Sequence, residues 1–120
     1  MRSTLIVKAT SGLDAPERCA QAFTVSSVAV LSGVRVSLWL TGEAVWLAVP
    51  GRAETFVLAH SAPLDGLRDD VLNGGSITVC TQCAARRELG PADLLPGVRV
   101  AGAAVFVSEI LQDDARALVY

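Results

Sequence analysis

Short apolar runs alternate with helix-patterned segments along the whole chain, and glycine or proline marks most changes of period. Strands separated by connections long enough to hold a helix pair in parallel, so this rhythm excludes helical bundles and antiparallel sandwiches and points to βαβ units. The strands read as Leu5 to Ala9, Val34 to Leu40, Ser76 to Cys80, Val98 to Val100 and Ala117 to Tyr120. After Thr10-Ser11-Gly12, Asp14 and Glu17 stand at capping-box spacing with Pro16 near the start. A helix is predicted from there to about Leu31, with Gly33 as its stop. Glu43 to Val49 reads as a short helix or turn, and Thr55 to Leu58 stays open between strand and loop. Leu64, Leu67 and Val71 recur at helical spacing before Asn73-Gly74-Gly75. Further helices are expected over Thr81 to Leu89 and Ala103 to Gln112, with one turn at Ala92 to Leu95. Val34, Val36, Leu38 and Leu40 share one face of their strand while Trp39 lies on the other, so neither face is strictly polar. That is the pattern of a sheet covered on both sides. The expected fold is therefore α/β: a single three-layer domain over residues 1–120, with a mainly parallel sheet of about five strands.

Composition narrows the setting. At 120 residues the chain has room for one domain. It is 52% hydrophobic and 18% charged, where a typical soluble domain is about 25% charged. No apolar run approaches the roughly 18 residues of a spanning helix. The stretch at Leu5-Ile6-Val7 is too short for a signal peptide, so the expectation is a cytoplasmic protein with no membrane partner. Ten basic against twelve acidic residues leave a net charge of -2, which gives no electrostatic pull toward nucleic acid. The helix around Ala103 to Leu111 is apolar on nearly every side, and the first helix, from about Ala15 to Leu31, is also short of charge. A surface helix should not read this way, so the apolar surplus is taken as an oligomer interface.

In open parallel sheets the reactive crevice lies beyond the carboxyl ends of the strands. That selects the loops Thr10-Ser11-Gly12, Thr41-Gly42-Glu43, Cys80-Thr81-Gln82-Cys83 and Ala101-Gly102. Of these, only the third holds a strong nucleophile. Cys80 should end a strand and Cys83 should fall in the first turn of the next helix, with Arg86 and Arg87 close behind. Unpaired amides and positive charge favour a thiolate at such a place. The pair Cys80-x-x-Cys83 admits a dithiol redox reading. It also admits half of a zinc site, for which only Cys19 and His60 remain as further ligands. Cys80 and Arg86 match the Cys-x5-Arg spacing of oxyanion-cradling loops, but the intervening Thr81-Gln82-Cys83-Ala84-Ala85 has no glycine and favours a helix. Cys19 reads as core, His60 as an exposed loop residue, and Asp69-Asp70 and Asp113-Asp114 as solvated helix surface. Trp39 and Trp46 flank the Thr41-Gly42 loop and read as core, with crevice lining as the alternative. Thr10-Ser11-Gly12 lacks the spaced glycines of a dinucleotide site.

Four segments in order carry a family resemblance: Leu40-Thr41-Gly42-Glu43-Ala44-Val45, Val79-Cys80-Thr81-Gln82-Cys83-Ala84-Ala85-Arg86-Arg87, Leu94-Leu95-Pro96-Gly97-Val98 and Val100-Ala101-Gly102. In that order and spacing the chain resembles the DsrE/DsrF-like family, which includes YchN-like and Tus-type sulfur-relay proteins. The resemblance implies a homo-oligomer, trimer or hexamer, with no organic or metal cofactor. It also implies a cysteine that accepts a persulfide sulfur from a donor protein and hands it to an acceptor protein. Matching the paired arginines puts that cysteine at Cys80, with Cys83, Arg86 and Thr41 as the accompanying site residues. The glycine usual after the arginine is Glu88 here. Two other functions stay open: a non-catalytic oligomeric or regulatory domain, and a Cys80–Cys83 redox pair.

Overall fold

The computed structural model describes residues 3–120; Met1 and Arg2 lie outside the described residues. Five strands form one sheet: β1 (Thr4–Ala9), β2 (Arg35–Leu40), β3 (Ser76–Cys80), β4 (Arg99–Ala101) and β5 (Ala115–Val119). All four pairings are parallel, in the order β4-β3-β2-β1-β5. The helices are α1 (Pro16–Leu31), α2 (Leu64–Gly74), α3 (Thr81–Arg86) and α4 (Ala103–Ile110), with 3-10 turns at Gly42–Ala48, Ala53–Thr55 and Pro91–Asp93. Thus the single α/β domain with a parallel five-stranded sheet is as the sequence predicts.

Right-handed crossovers decide which face each helix covers. From β1 to β4 the chain steps in one direction across the sheet, so α1, α2 and α3 fall on one face. The return from β4 to β5 reverses direction and puts α4 on the other. The first face holds the core. Val7, Ala9, Val36, Leu38, Leu40, Ile77 and Val79 pack under Cys19, Phe23, Leu64 and Val71. Fully burying each large apolar side chain contributes roughly 1.5–3 kcal/mol. The alternating face of β2 expected from the sequence is the one that enters this core.

The second face is more polar. Glu109 of α4 reaches down to the sheet, where its Oε1 accepts bonds from Ser37 Oγ (2.6 Å) and Trp39 Nε1 (3.0 Å). Arg99 Nη2 donates to Glu109 Oε2 at 2.9 Å, while its Nε donates to Thr78 Oγ1 at 2.9 Å. The Phe106 ring meets Trp39 edge-on at 5.3 Å. These contacts hold α4 in place, yet none of its residues is buried. Val105 and Val107 are exposed, as are Leu118 and Val119 of the edge strand β5. By contrast, α1 turns Cys19, Ala20, Ala22 and Phe23 into the core, while its Val28 and Leu31 stay exposed.

Several local expectations need correction. Asp14 does not cap α1: Ala15 is the N-cap, no side-chain cap bond forms, and the Asp14 carboxylate instead accepts the Gly12 N–H at 2.8 Å. The open segment at Thr55 to Leu58 is not a strand; a 3-10 turn ends at Thr55 and irregular chain follows. The helix from Thr81 ends at Arg86 rather than Leu89, because Glu88 turns into the left-handed region at φ 57°. The Glu88 N–H then bonds Ala85 O and the Leu89 N–H bonds Ala84 O, a Schellman closure. Helix α4 stops at Ile110 and β5 begins at Ala115. Asp113 and Asp114 therefore lie in the turn between them, where Asp114 pairs with Arg35 at 2.6 Å. Among the described residues, no helix is long and apolar enough to cross a membrane.

Candidate functional site

Cys80 is the last residue of β3 and the N-cap of α3. Its partner in the sheet is Ala101, the last residue of β4. The chain leaves β3 toward the core face, where Cys83 and Ala84 are buried, and leaves β4 toward α4 on the opposite face. Neighbouring strands whose connections diverge in this way open a crevice between their carboxyl ends. The nucleophile picked out by the sequence stands at that divergence, and it is partly accessible.

Local geometry favours its thiolate. Partial burial pushes the Cys80 thiol up, but hydrogen bonds from the Cys83 N–H, the Cys83 thiol and the Gln82 N–H, together with the charge of Arg86, bring it below its ordinary value. The two amides point at the sulfur because Thr81 begins the helix immediately after it, leaving the first-turn N–H groups without carbonyl partners. The segment after Cys80 is thus a helix, as its residues predict, and not a wrapped anion loop.

Cys83 is buried, as its place in the first turn requires. Its Sγ accepts the Gly42 N–H at 3.3 Å, and Arg86 Nη1 approaches it at 4.0 Å. Gly42 is held in the left-handed region at φ 55°, and a Cβ there would lie 2.6 Å from Thr10 O. Gly12 is in the same position relative to the facing loop, where a Cβ would lie 2.6 Å from Glu43 O. The loops after β1 and β2 therefore touch backbone to backbone, and glycine is what permits it. Thr41 packs into this junction, its hydroxyl donating to Ala9 O at 3.3 Å and its N–H to the same oxygen at 2.9 Å. The structure gives Thr41 no bond to either sulfur; the neighbouring amide makes that link.

Arg86 and Arg87 have separate tasks. Arg86 lends its charge to Cys80. Arg87 turns away, its Nε donating to Glu43 Oε2 at 2.8 Å and its Nη1 to Cys83 O at 3.1 Å. Glu43 Oε2 also accepts Trp46 Nε1 at 3.2 Å. Glu43 was not singled out from the sequence; its place after Thr41-Gly42, opposite an arginine pair, is the signal that could have marked it. Trp39 is core, and Trp46 is half-buried at the rim.

The remaining sulfur is of another kind. Cys19 lies in the core, where burial first and the charge of Asp14 second push its thiol up to about 12. His60 is exposed in its loop. Among the described residues, no three His, Cys, Asp or Glu side chains converge to hold a metal ion.

Comparison with known proteins agrees with this architecture. A model of the DsrE/DsrF-like family matches residues 4–119. The chain shares its fold with the YchN protein from E. coli, at 15% identity over all of both chains and a TM-score of 0.80. A protein of unknown function from Methanobacterium thermoautotrophicum, MTH1491, superposes with a TM-score of 0.69 at 12% identity, over 98% of this chain and 99% of that one. For BT1422 from Bacteroides thetaiotaomicron, a conserved protein of unknown function, the TM-score is 0.65 at 14% identity, over 98% and 95%. No curated protein matches the sequence. Since the family model runs from the first strand to the last, the chain belongs to the DsrE/DsrF-like family.

Proposed function

We propose that this protein is a cytoplasmic sulfur carrier that takes up and passes on a persulfide sulfur at Cys80. The observation that carries this reading is the half-exposed Cys80 sulfur at the β3–β4 divergence, lowered toward thiolate by two amides, a thiol and Arg86. In the first step the Cys80 thiolate bonds to the outer sulfur of a donor persulfide. The donor's S–S bond breaks and the donor leaves as thiolate with the electron pair. An acceptor thiolate then takes the outer sulfur from Cys80 in the same way. Neither step needs an external oxidant or reductant, and thiolate fraction and leaving-group basicity set both rates. The amides that favour the thiolate also suit the terminal sulfur of a Cys80 persulfide anion.

The test is intact mass after exposure to inorganic polysulfide. The expected result is a gain of about 32 Da, one sulfur atom, mapped to Cys80, absent in Cys80→Ser and kept in Cys83→Ser. No adduct, or an adduct only at another cysteine, would overturn the proposal. A loss of two hydrogens with a Cys80–Cys83 bridge would also overturn it in favour of a redox pair, a reading supported by the Cys83 thiol bonding to Cys80.

The working form of this carrier is a homo-oligomer. In support, α4 has no buried residue and exposes Val105 and Val107, and the edge strand β5 exposes Leu118 and Val119. Exposed apolar side chains on a helix and on an unpaired strand edge favour contact with another chain. Sedimentation equilibrium at micromolar concentration is expected to give a trimer or hexamer, and Val107→Glu to give smaller species. A wild-type monomer would refute the oligomer.

A further inference from the structure

Beside the thiol loop is a cavity of about 110 Å³ lined by Leu13, Glu43, Trp46, Leu47, Arg52 and Thr55. That is the liquid volume of roughly three or four waters, room for one small polar group on a short stem. The Arg52 guanidinium lies over the Trp46 indole, 4.3 Å from the ring centre. Stacking of this sort orients a guanidinium plane and leaves its N–H edges available. Among the described residues, Arg52 has no carboxylate partner, whereas Arg68, Arg87 and Arg99 each have one. Thr55 Oγ donates to Arg52 O at 2.9 Å and ties down the turn that carries the arginine.

A second charge borders the same indole. Glu43 Oε2 accepts both the Trp46 N–H and Arg87 Nε, while its Oε1 accepts no bond among the described residues. One ring therefore carries a cation over its face and a carboxylate at its N–H, with Leu13 and Leu47 as apolar walls. A guanidinium fork matches a carboxylate, and a free carboxylate oxygen matches an ammonium. The same Glu43 is joined through Arg87 to Cys83 O, and its neighbour Gly42 bonds Cys83 Sγ, so the loop that borders the cavity is tied to the thiol loop.

We infer that this cavity recognises the free α-amino-acid end of a small thiol, Arg52 taking its carboxylate and Glu43 Oε1 its ammonium. The inference rests on the sulfur-carrier reading of Cys80 and names its small-molecule donor class: a persulfide bearing an α-amino-carboxylate. Two sources share that chemistry, cysteine persulfide, with the group next to sulfur, and glutathione persulfide, with the group at the end of a γ-glutamyl arm. In either case the outer sulfur bonds to Cys80 and the amino-acid thiolate leaves.

The test separates binding from sulfur transfer by using the Cys80→Ser protein. S-methylcysteine and S-methylglutathione, which cannot transfer sulfur, are titrated by calorimetry. One of them is expected to bind saturably, and which one identifies the source. Arg52→Gln is expected to weaken that binding at least about tenfold. Arg52→Lys, which keeps the charge without the planar fork, should fall in between. Arg18→Gln, on the exposed side of α1, should bind like the parent. Removing the amino group, as in 3-(methylthio)propanoate, should also weaken binding. Saturation by neither probe, or undiminished binding to a folded Arg52→Gln protein, would overturn the inference. The carrier reading fails separately: wild type that takes no sulfur from polysulfide refutes it whatever the cavity binds, and uptake from polysulfide without probe binding refutes the cavity alone.

Discussion

At about pH 7.5, Cys80 is expected to react with iodoacetamide at least about ten times faster than Cys19. The thiolate is the attacking species. Core burial and Asp14 push the Cys19 thiol up to about 12. Cys80 lies below its ordinary value of 9.0. Cys80 therefore holds by far the larger thiolate fraction, which outweighs the lower nucleophilicity of a less basic thiolate, and the burial of Cys19 widens the difference in rate. Arg86→Gln should shift the Cys80 rate profile to higher pH, because it removes the charge that favours the thiolate. The linkage signs are opposite at the two residues. Stability from the lowered Cys80 is present above its unfolded value and is lost as pH falls through its folded value. Cys19, raised from 9.0 to about 12, contributes stability that is present below about pH 9 and disappears as pH rises toward 12. Site-resolved mass spectrometry of the pH–rate profile checks the order. A Cys80 midpoint at or above that of an unfolded peptide cysteine would refute the lowered thiol.

The largest stability change outside the core is expected at Gly42. Alanine there must hold φ near 55° and place its Cβ 2.6 Å from Thr10 O, a backbone atom that cannot swing away. Such strain with a steric clash costs about 2–4 kcal/mol. The loop shift should also lengthen the Gly42 N–H bond to Cys83 Sγ and change Cys83 reactivity. The opposite sign is expected at Glu88, which stands in the left-handed position of a Schellman closure. Glu88→Gly should stabilise by about 0.5–1 kcal/mol, the relief of a side chain from that conformation less the added freedom of the unfolded chain. Urea unfolding of both variants reads the two signs. A neutral Gly42→Ala would show that the β1 and β2 loops can move apart.

The Glu88 geometry also accounts for the glycine that the resemblance leads one to expect there. Glu88 makes here, at φ 57°, the left-handed turn that a glycine makes without strain. The sequence does not announce the end of α3 for the same reason: Thr81 to Leu89 contains no glycine, and the left-handed turn is made by a residue that seldom makes it. At Asp14 the case is reversed. The spacing to Glu17 fits a capping box, but Ser11 and Gly12 are buried and Gly12 is pressed against Glu43 O. Asp14 bonds back to the Gly12 amide and is unavailable to α1. The strands were more legible than the helix ends, because apolar residues at every second position, Val36, Leu38 and Leu40, need no partner to be read, although β2 is buried on both faces.

By itself the sequence determined the alternation of strands and helices, the parallel sheet, the placing of Cys80 at a strand end with Cys83 one turn on, and the resemblance to a family. These follow from local period and order along the chain. Only the tertiary structure decided which groups meet across it. It brought Gly42, thirty-eight positions away, onto the Cys80 loop by its bond to Cys83 Sγ. Arg86 was assigned to the thiol and Arg87 to Glu43. The reversal from β4 to β5 put α4 alone on the second face. Arg52 came to rest over Trp46. The physical reason is the same throughout: strand order and crossover hand set which distant loops share a rim, and neither is written in the spacing of neighbouring residues.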